Sequence, residues 1–457
     1  MSARIRRLAT VIAALSTLSL GAGAQQIAPG EQGKKPRNVP ARPPGGAPLH
    51  DPSDDVIVLV GLGGDIDQIL TGTGASVVQS ISSKNLYLVD PGQDSAALGL
   101  IGQNPDATFV EPNQRVRSPE SACLPGGQVG GQQCTIGVVD GTPTSDEYTG
   151  QDAMVTMQVA AAQALSLGVP VTVAVIDTGI DFSHPVFDGR FVSPGFDFVG
   201  KRPVAADVPD GVDTDGDGSV DEAYGHGTHV AGTIALINPD AILLPVRALD
   251  SDGIGTAFDL AHAIFFAVDE GADIINLSLS MNEPSSAVAS ALAYAEAFGV
   301  KLFSSTGNTG GEGVLFPANY NPAKQIDFFI PFVPPNSPIT GLPMFAVAAV
   351  DENDVLAPFS AYGVEVDVCA PGTDVYSAIP GGGFAWWSGT SMACAVASGV
   401  GSLLYSVVPP PPPSYFSPGQ VMMTTADAIA AKNPSISGKI GAGRINALFA
   451  ATTASGF

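Results

Sequence analysis

At 457 residues the chain is too long for one small core and suits two or three folded units. Its 45% hydrophobic content, with 54 glycines and 21 phenylalanines, is that of a globular protein rather than a disordered one. A formal net charge of −25 excludes nucleic acid as a partner, because phosphate binding needs clustered Lys and Arg; it reads instead as a well-solvated surface.

In chain order, Arg4, Arg6 and Arg7 precede an apolar run from Leu8 to Leu20 and then Ala22-Gly23-Ala24. This is the layout of a secretory signal over residues 1–24, cleaved after Ala24, and the run is too short to span a bilayer. Export is the expected localisation. Residues 25–54 are rich in Pro and Gly without periodicity and read as a linker. Residues 55–117 alternate strand and helix signals: Val56–Val60, Asp65–Leu70, Ala75–Ile81, Asn85–Val89, Asp94–Leu100 and Ala107–Glu111. That βαββαβ order predicts a small ferredoxin-like α+β unit. Gly61-Leu62-Gly63-Gly64 is not a dinucleotide fingerprint, because Ile66 stands where the third glycine belongs.

Residues 118–150 form a Gly-rich arm carrying Cys123 and Cys134. In residues 151–457 near-continuous apolar strands alternate with helices. The strands are expected at Val171–Ile176, Ile242–Ala248, Asp273–Leu277, Val300–Ser305 and Phe345–Val350, the helices at Ala257–Glu270, Ser285–Phe298 and Ser391–Val407. This predicts a mainly parallel sheet covered on both faces, with a site beyond the carboxyl ends of the strands. The uncharged stretch 391–408 is long enough to cross a membrane, but its Ser, Ala and Gly content fits a core helix better, and no stable membrane anchor is expected. Residues 319–343 read as a Pro-rich insertion, and Pro409–Pro413 as a spacer.

Three segments carry chemistry. Asp177 ends a strand before Thr178-Gly179, His226 lies in Gly225-His226-Gly227-Thr228-His229, and Ser391 lies in Gly389-Thr390-Ser391-Met392-Ala393 where a long helix begins. Singly they read as a turn residue, a packed histidine and an N-cap. Together they supply a hydroxyl nucleophile, an imidazole base and a carboxylate that fixes the base's tautomer. The order and motifs resemble those of the subtilisin-like serine proteases over about residues 151–449. The resemblance implies a three-layer α/β/α fold and hydrolysis of protein or peptide substrates by Asp177, His226 and Ser391, with no cofactor for catalysis. It implies that Asn308, in Thr306-Gly307-Asn308, donates to the developing oxyanion. It also implies that Gly253, Ile254 and Gly255, with Ser278, Leu279 and Ser280, clasp a substrate strand. Ser280 and Leu315 stand where the family commonly has Gly; both narrow the specificity pocket, so small or medium apolar residues are expected at P1. Residues 55–117 resemble the family's inhibitory propeptide, with processing expected between Arg115 and Ala122 and a monomeric product.

Asp213, Asp215, Asp217, Ser219 and Asp221 have the alternating spacing of a calcium loop, truncated because Tyr224 replaces the final Glu. Such crowded carboxylates form either a solvated loop or a structural calcium site, and the family's habit favours calcium. The four cysteines allow three pairings. Cys123 with Cys134 is the local one, leaving Cys369 and Cys394 either bridged or as free buried thiols. The family usually has Pro-His after Ser391-Met392-Ala393 and one further residue, where this chain has Cys394-Ala395-Val396, so a Cys369–Cys394 bridge is a candidate replacement for lost rigidity. That departure is also the one foothold for a catalytically inactive binding protein on the same fold. An acid-acting relative with Glu for His is excluded by the intact Gly225-His226-Gly227. His50, His184, His229 and His262 read as structural or surface residues.

Overall fold

Five consecutive apolar residues with no alternation predict a strand buried on both faces, and Val56–Val60 (β1) is one. Ile66–Leu70 (α1), Ser76–Ile81 (β2), Leu86–Asp90 (β3), Ser95–Gln103 (α2) and Ala107–Pro112 (β4) follow it. The four strands make an antiparallel sheet in the order β2-β3-β1-β4, the ferredoxin-like arrangement. Val56, Val58 and Val60 face Ile69, Leu70 and Ile101 of the unit's own helices, whereas Ile57 and Leu59 enter a core shared with the larger body. This computed structural model describes residues 54–92, 95–120, 128–129, 132–133, 136–138, 145–320, 344–410, 412 and 416–457. The expected signal segment, all but the last residue of the linker, Cys123, Cys134, and residues 321–343 of the expected insertion lie outside them.

After Arg115–Arg117 (β5), the large sheet is assembled from Val171–Asp177 (β6), Phe196–Asp197 (β7), Arg202–Pro203 (β8), Ala241–Arg247 (β9), Ile274–Leu277 (β11), Lys301–Ser305 (β12), Met344–Val350 (β13) and Val368–Pro371 (β14); the short strand Ile254–Thr256 (β10) stands outside it. Its order is β8-β7-β9-β6-β11-β12-β13-β14, parallel throughout except for β8. Outside β14, the Cys369 N–H donates to the Gly443 carbonyl and the Ile445 N–H to the Cys369 carbonyl, so residues 443–445 run along that margin.

The strand period of two assigns the faces. Val171, Val173 and Val175 of β6 pack with His226–Ile237 (α3), Thr390–Val407 (α6) and Ala447–Ala454 (α7). Ala174 and Ile176 pack with Ala257–Asp269 (α4) and Ser286–Ala297 (α5) on the other face. The result is the three-layer α/β/α architecture expected from the sequence. The side chains of Thr256 and Ser285 accept the N–H groups of Asp259 and Val288, which starts α4 and α5. The N-terminal unit reinforces both starts. Glu111 accepts from the Ser286 and Ala287 N–H groups and from the Ser285 hydroxyl, and Asn113 Oδ1 accepts from the Phe258 N–H. Carboxylate charge at a helix start also complements the dipole. Helix α6 is long and apolar enough to cross a membrane, yet 94% of it is buried inside the fold. Its glycines explain the fit, since a Cβ on Gly399 would come within 2.9 Å of the Ile237 side chain and one on Gly401 within 2.8 Å of the Phe303 ring.

The Cys369–Cys394 bridge is not formed; both thiols are free and buried. The reason is strand geometry. Val368 and Ala370 face α6, so Cys369 between them points to the opposite side of the sheet, where its thiol donates to the Ile440 carbonyl at 3.3 Å. Cys394, on α6, donates to Asn276 Oδ1 at 3.3 Å. Burial pushes both thiols up to about 12, which leaves them unreactive. A chain carrying Cys123→Ser and Cys134→Ser should therefore resist maleimide when folded and show two free thiols after unfolding without reductant. Recovery of none would restore the bridge.

Candidate active site

The four expected catalytic residues of the large body lie at or just past strand ends or at helix starts. Asp177 is the last residue of β6, His226 the first of α3, Ser391 the second of α6, and Asn308 follows β12 through Thr306 and Gly307. The sequence builds these turns with residues that tolerate close approach. Gly179 has φ +106°, and a side chain there would strike Ala206; a Cβ on Gly227 would lie 2.2 Å from the Gly179 carbonyl. With no side chain at either position, the helix bearing His226 can approach the strand bearing Asp177.

His226 Nδ1 meets Asp177 Oδ1 at 2.7 Å, with both side chains fully buried. The same oxygen accepts the Thr178 N–H at 2.7 Å. The other imidazole nitrogen and the serine do not meet each other. Both converge on Glu120, with His226 Nε2 at 3.0 Å and Ser391 Oγ donating at 2.7 Å to the same oxygen, Oε2. Asn308 Nδ2 donates to Oε1 at 3.1 Å, while Asn308 Oδ1 accepts from the Thr390 N–H and hydroxyl. A Cβ on Gly389 would lie 1.8 Å from Glu120 Oε1, so only glycine there leaves room for this carboxylate.

Protons follow from the acceptors. An ionised carboxylate only accepts, so an imidazole bonded to carboxylates through both nitrogens carries both protons and has no lone pair for a serine proton. Burial opposes the charge on His226, but Asp177 first and Glu120 second overcome it and raise its pKa to about 10. Burial also opposes ionisation of Glu120; the hydrogen bond and charge of His226, with donors from Ser391 and Asn308, hold its pKa below the ordinary carboxylate value. His229, one turn along α3, is different. Burial lowers it to about 3, it bonds the Val375 and Ala385 carbonyls, and it stacks on Trp387.

The two expected edge segments do clasp a strand, and that strand is the chain's own β5. Arg117, Val116 and Arg115 pair antiparallel with Ile254, Gly255 and Thr256. On the other side the Arg117 N–H donates to the Ser280 carbonyl and receives the Ser280 N–H on its own carbonyl, and the Ser118 N–H donates to the Gly253 carbonyl at 2.8 Å. Leu279 is buried behind this ladder. Leu315 packs beside Gly307, next to Asn308. Ser278 donates its hydroxyl to the Ser391 carbonyl and accepts from Asn276, which also receives Cys394 and Ser398. This polar network braces the helix start where the chain departs from the usual Pro-His.

In the acidic loop, carboxylate oxygens of Asp213, Asp215 and Asp252 lie within 4.8 Å of one another, as do those of Asp215, Asp217 and Glu222. Asp221 is turned elsewhere and accepts the N–H groups of Asp210 and Gly211; the Ser219 N–H donates to Asp217. Asp252 and Glu222 were not among the expected ligands. Glu222 falls out of register with the loop spacing, and Asp252 lies more than thirty residues further along the chain. Glu120 was missed likewise, since nothing in its neighbourhood marks it.

A profile of the peptidase S8, subtilase family matches residues 168–443. The chain is 38% identical over 244 residues to the thermophilic serine proteinase of Bacillus sp. (strain AK1), covering 51% of this chain and 52% of that protein. It is 35% identical to thermitase of Thermoactinomyces vulgaris, covering 51% and 74% respectively. Among solved structures, fervidolysin from Fervidobacterium pennivorans, described as a keratinolytic enzyme related to subtilisin, superposes with a TM-score of 0.64 at 21% identity, over 87% of this chain and 61% of that one. The chain thus spans about half the length of the AK1 proteinase and under two thirds of fervidolysin, the latter a likeness of fold. With the profile covering more than half of its length, the chain belongs to the subtilase family.

Proposed function

We propose that the chain is an exported serine endopeptidase, made as a self-inhibited precursor, that cleaves peptide bonds through an acyl-enzyme. The observation that carries this reading is the convergence of Ser391 Oγ, His226 Nε2 and Asn308 Nδ2 on one carboxylate. Those are a nucleophile, its base and an oxyanion donor, facing one small volume. Once Glu120 leaves, His226 loses one of its two carboxylate partners and becomes free to take the Ser391 proton as the hydroxyl attacks the carbonyl, with Asp177 stabilising the imidazolium that forms. Asn308 then donates to the oxyanion, together with the backbone N–H at the start of α6. In subtilisin, losing such a side-chain donor costs about 100- to 1000-fold in rate. Protonated His226 next gives its proton to the leaving amine, and water repeats the sequence on the acyl-enzyme.

In the precursor the segment Arg115–Glu120 occupies the cleft, paired as a strand over Arg115–Arg117, which supports residues 55–117 as the inhibitor and processing between Arg115 and Ala122. The Arg- and Ala-rich composition of residues 1–24 supports export. A fluorophosphonate probe should label the wild-type chain and not Ser391→Ala; a wild type that stays unlabelled after processing sinks the protease reading and favours an inactive binding protein. Glu120→Ala should label and self-process at least about tenfold faster than wild type at neutral pH, the value of one charge-assisted hydrogen bond. The sign follows from the two shifts. The Glu120 contact is present above its depressed carboxyl pKa and is lost as pH falls through it, while on the alkaline side it weakens as His226 discharges near pH 10.

We also propose a structural calcium ion between the acidic loop and Asp252. Asp252 is fully buried with Oδ1 unpartnered, and Glu222 Oε2 is buried and unpartnered. Burial, then Asp252, then the charge of Asp217 push the Glu222 carboxyl up to about 7. Hard carboxylate oxygens left facing one another suit calcium, with Asp213, Asp215, Asp217, Glu222 and Asp252 as holders. Chelation should lower the Tm of the chain by several degrees, and Asp252→Asn should lower it to the same value while abolishing the chelator's effect. A Tm indifferent to chelator excludes the ion.

A further inference from the structure

Behind the acid and the base lies a second buried carboxylate, Asp207, 5% exposed, which no motif marks. The chain at Ala205–Asp207 runs against the turn after Asp177. Ile180 N–H donates to the Ala205 carbonyl, Asp207 N–H donates to the Ile180 carbonyl, and Gly179 touches Ala206 so closely that no side chain fits between them. From there the Asp207 side chain reaches both halves of the site. Its Oδ1 accepts the Thr178 hydroxyl and the Gly225 N–H, each at 3.3 Å. Its Oδ2 accepts the Thr228 hydroxyl at 2.6 Å and the Thr228 N–H at 3.4 Å. Thr178 follows Asp177 directly, and Gly225 and Thr228 flank His226. The Thr178 hydroxyl in turn accepts the Gly227 N–H at 2.9 Å, and Thr228 Oγ1 accepts the Asp181 N–H at 3.0 Å.

Helix α3 has no side-chain cap of its own at Gly225. Asp207 supplies one from outside, satisfying two N–H groups that the first turn leaves without intrahelical partners.

We infer that Asp207 is a positioning residue for the proposed reaction, a carboxylate that holds the turn after Asp177 and the first turn of α3 at the separation in which the acid and base meet. The inference rests on the protease reading and adds to Asp177, His226, Ser391 and Asn308 a fifth side chain on which the rate depends, one that does not touch substrate. A group that sets the distance between two reacting partners acts on the rate rather than on binding, since misplacement of order 1 Å can cost about a hundredfold.

The titratable groups that act with Asp207 are Asp177 at the end of β6 and Tyr224 just before α3. Burial pushes its carboxyl up to about 7, with the Thr228 hydroxyl and the Gly225 and Thr228 N–H groups opposing the rise and the charge of Asp177 adding to it. An amide cannot replace it. Asn at 207 would turn an NH2 group toward one pair of donors, leaving the Gly225 or Thr228 N–H unsatisfied.

The test is steady-state cleavage of a chromogenic peptide by the self-processed chain, with active sites counted by fluorophosphonate. Asp207→Asn should lower kcat per titrated site about 10- to 100-fold at nearly unchanged KM, the pattern of a lost transition-state arrangement. The acid limb of its kcat profile should move to lower pH, because an imidazole held less firmly by Asp177 returns toward its ordinary pKa. Thr228→Val should repeat both effects and Thr228→Ser, which keeps the hydroxyl, should restore the wild-type profile. If Asp207→Asn fails to fold, the Thr228 pair decides alone. Variants that lose titratable sites but keep kcat per site and the pH profile would show Asp207 to be scaffold only and overturn the inference. A processed wild type that neither labels nor turns over removes the protease reading itself, a result distinct from wild-type activity with unaffected variants.

Discussion

The buried bond between Asp177 and His226 constrains everything around it. An imidazolium cannot sit in a protein interior without a fixed counter-charge, because the loss of hydration costs far more than a loose ion pair returns. The fold provides that counter-charge by ending β6 at Asp177 and starting α3 at His226, with glycines at 179 and 227 where side chains would force the two apart. The network of Thr178, Asp207 and Thr228 then supplies fixed donors and acceptors in place of water. The same requirement explains the second carboxylate. With Glu120 on the far nitrogen, the imidazolium meets a carboxylate on each side, and neither ring nitrogen keeps a free lone pair.

The N-terminal unit is held by the surfaces that make the larger body work. Its β1 contributes Ile57 and Leu59 to the core over α4 and α5, Glu111 and Asn113 satisfy the starts of those helices, and the chain then passes directly into the cleft as β5. Packing, capping and strand pairing thus act in series along Glu111 to Glu120, so the position of the carboxylate in the site is set by contacts distributed over two helices and two strand edges.

Much of this was legible in the sequence. Uninterrupted apolar runs such as Val171–Ile176 announced strands buried on both faces, and the helices followed from long segments bounded by Thr256, Ser285 and Thr390. The segments holding Asp177, His226, Ser391 and Asn308 carried their own local signatures. What could not be read were groups whose meaning depends on distant partners. Glu120 lies 106 positions from His226 and 271 from Ser391. Asp207 acts through hydroxyls on two other elements, and Asp252 joins the acidic loop only because the β9–β10 turn folds against it. The mistaken bridge between Cys369 and Cys394 has the same origin. The identity of a residue in a strand is visible in sequence, but which face it serves depends on a register that its neighbours Val368 and Ala370 fix in three dimensions.

The margins of the large sheet bear on how this molecule meets other chains. One outer strand, β8, is two residues long and ends in Pro203, which offers no N–H; the other, β14, ends in Pro371 and is lined by residues 443–445. Neither margin offers a long run of free donors and acceptors to a passing extended polypeptide. The pair of short edges at Ile254–Thr256 and Ser280 does the opposite: they flank a slot one strand wide, and both pair with the chain's own β5. A molecule so arranged closes the margins of its large sheet and leaves, among the described residues, one slot in which an added strand is held from both sides, here filled by its own β5.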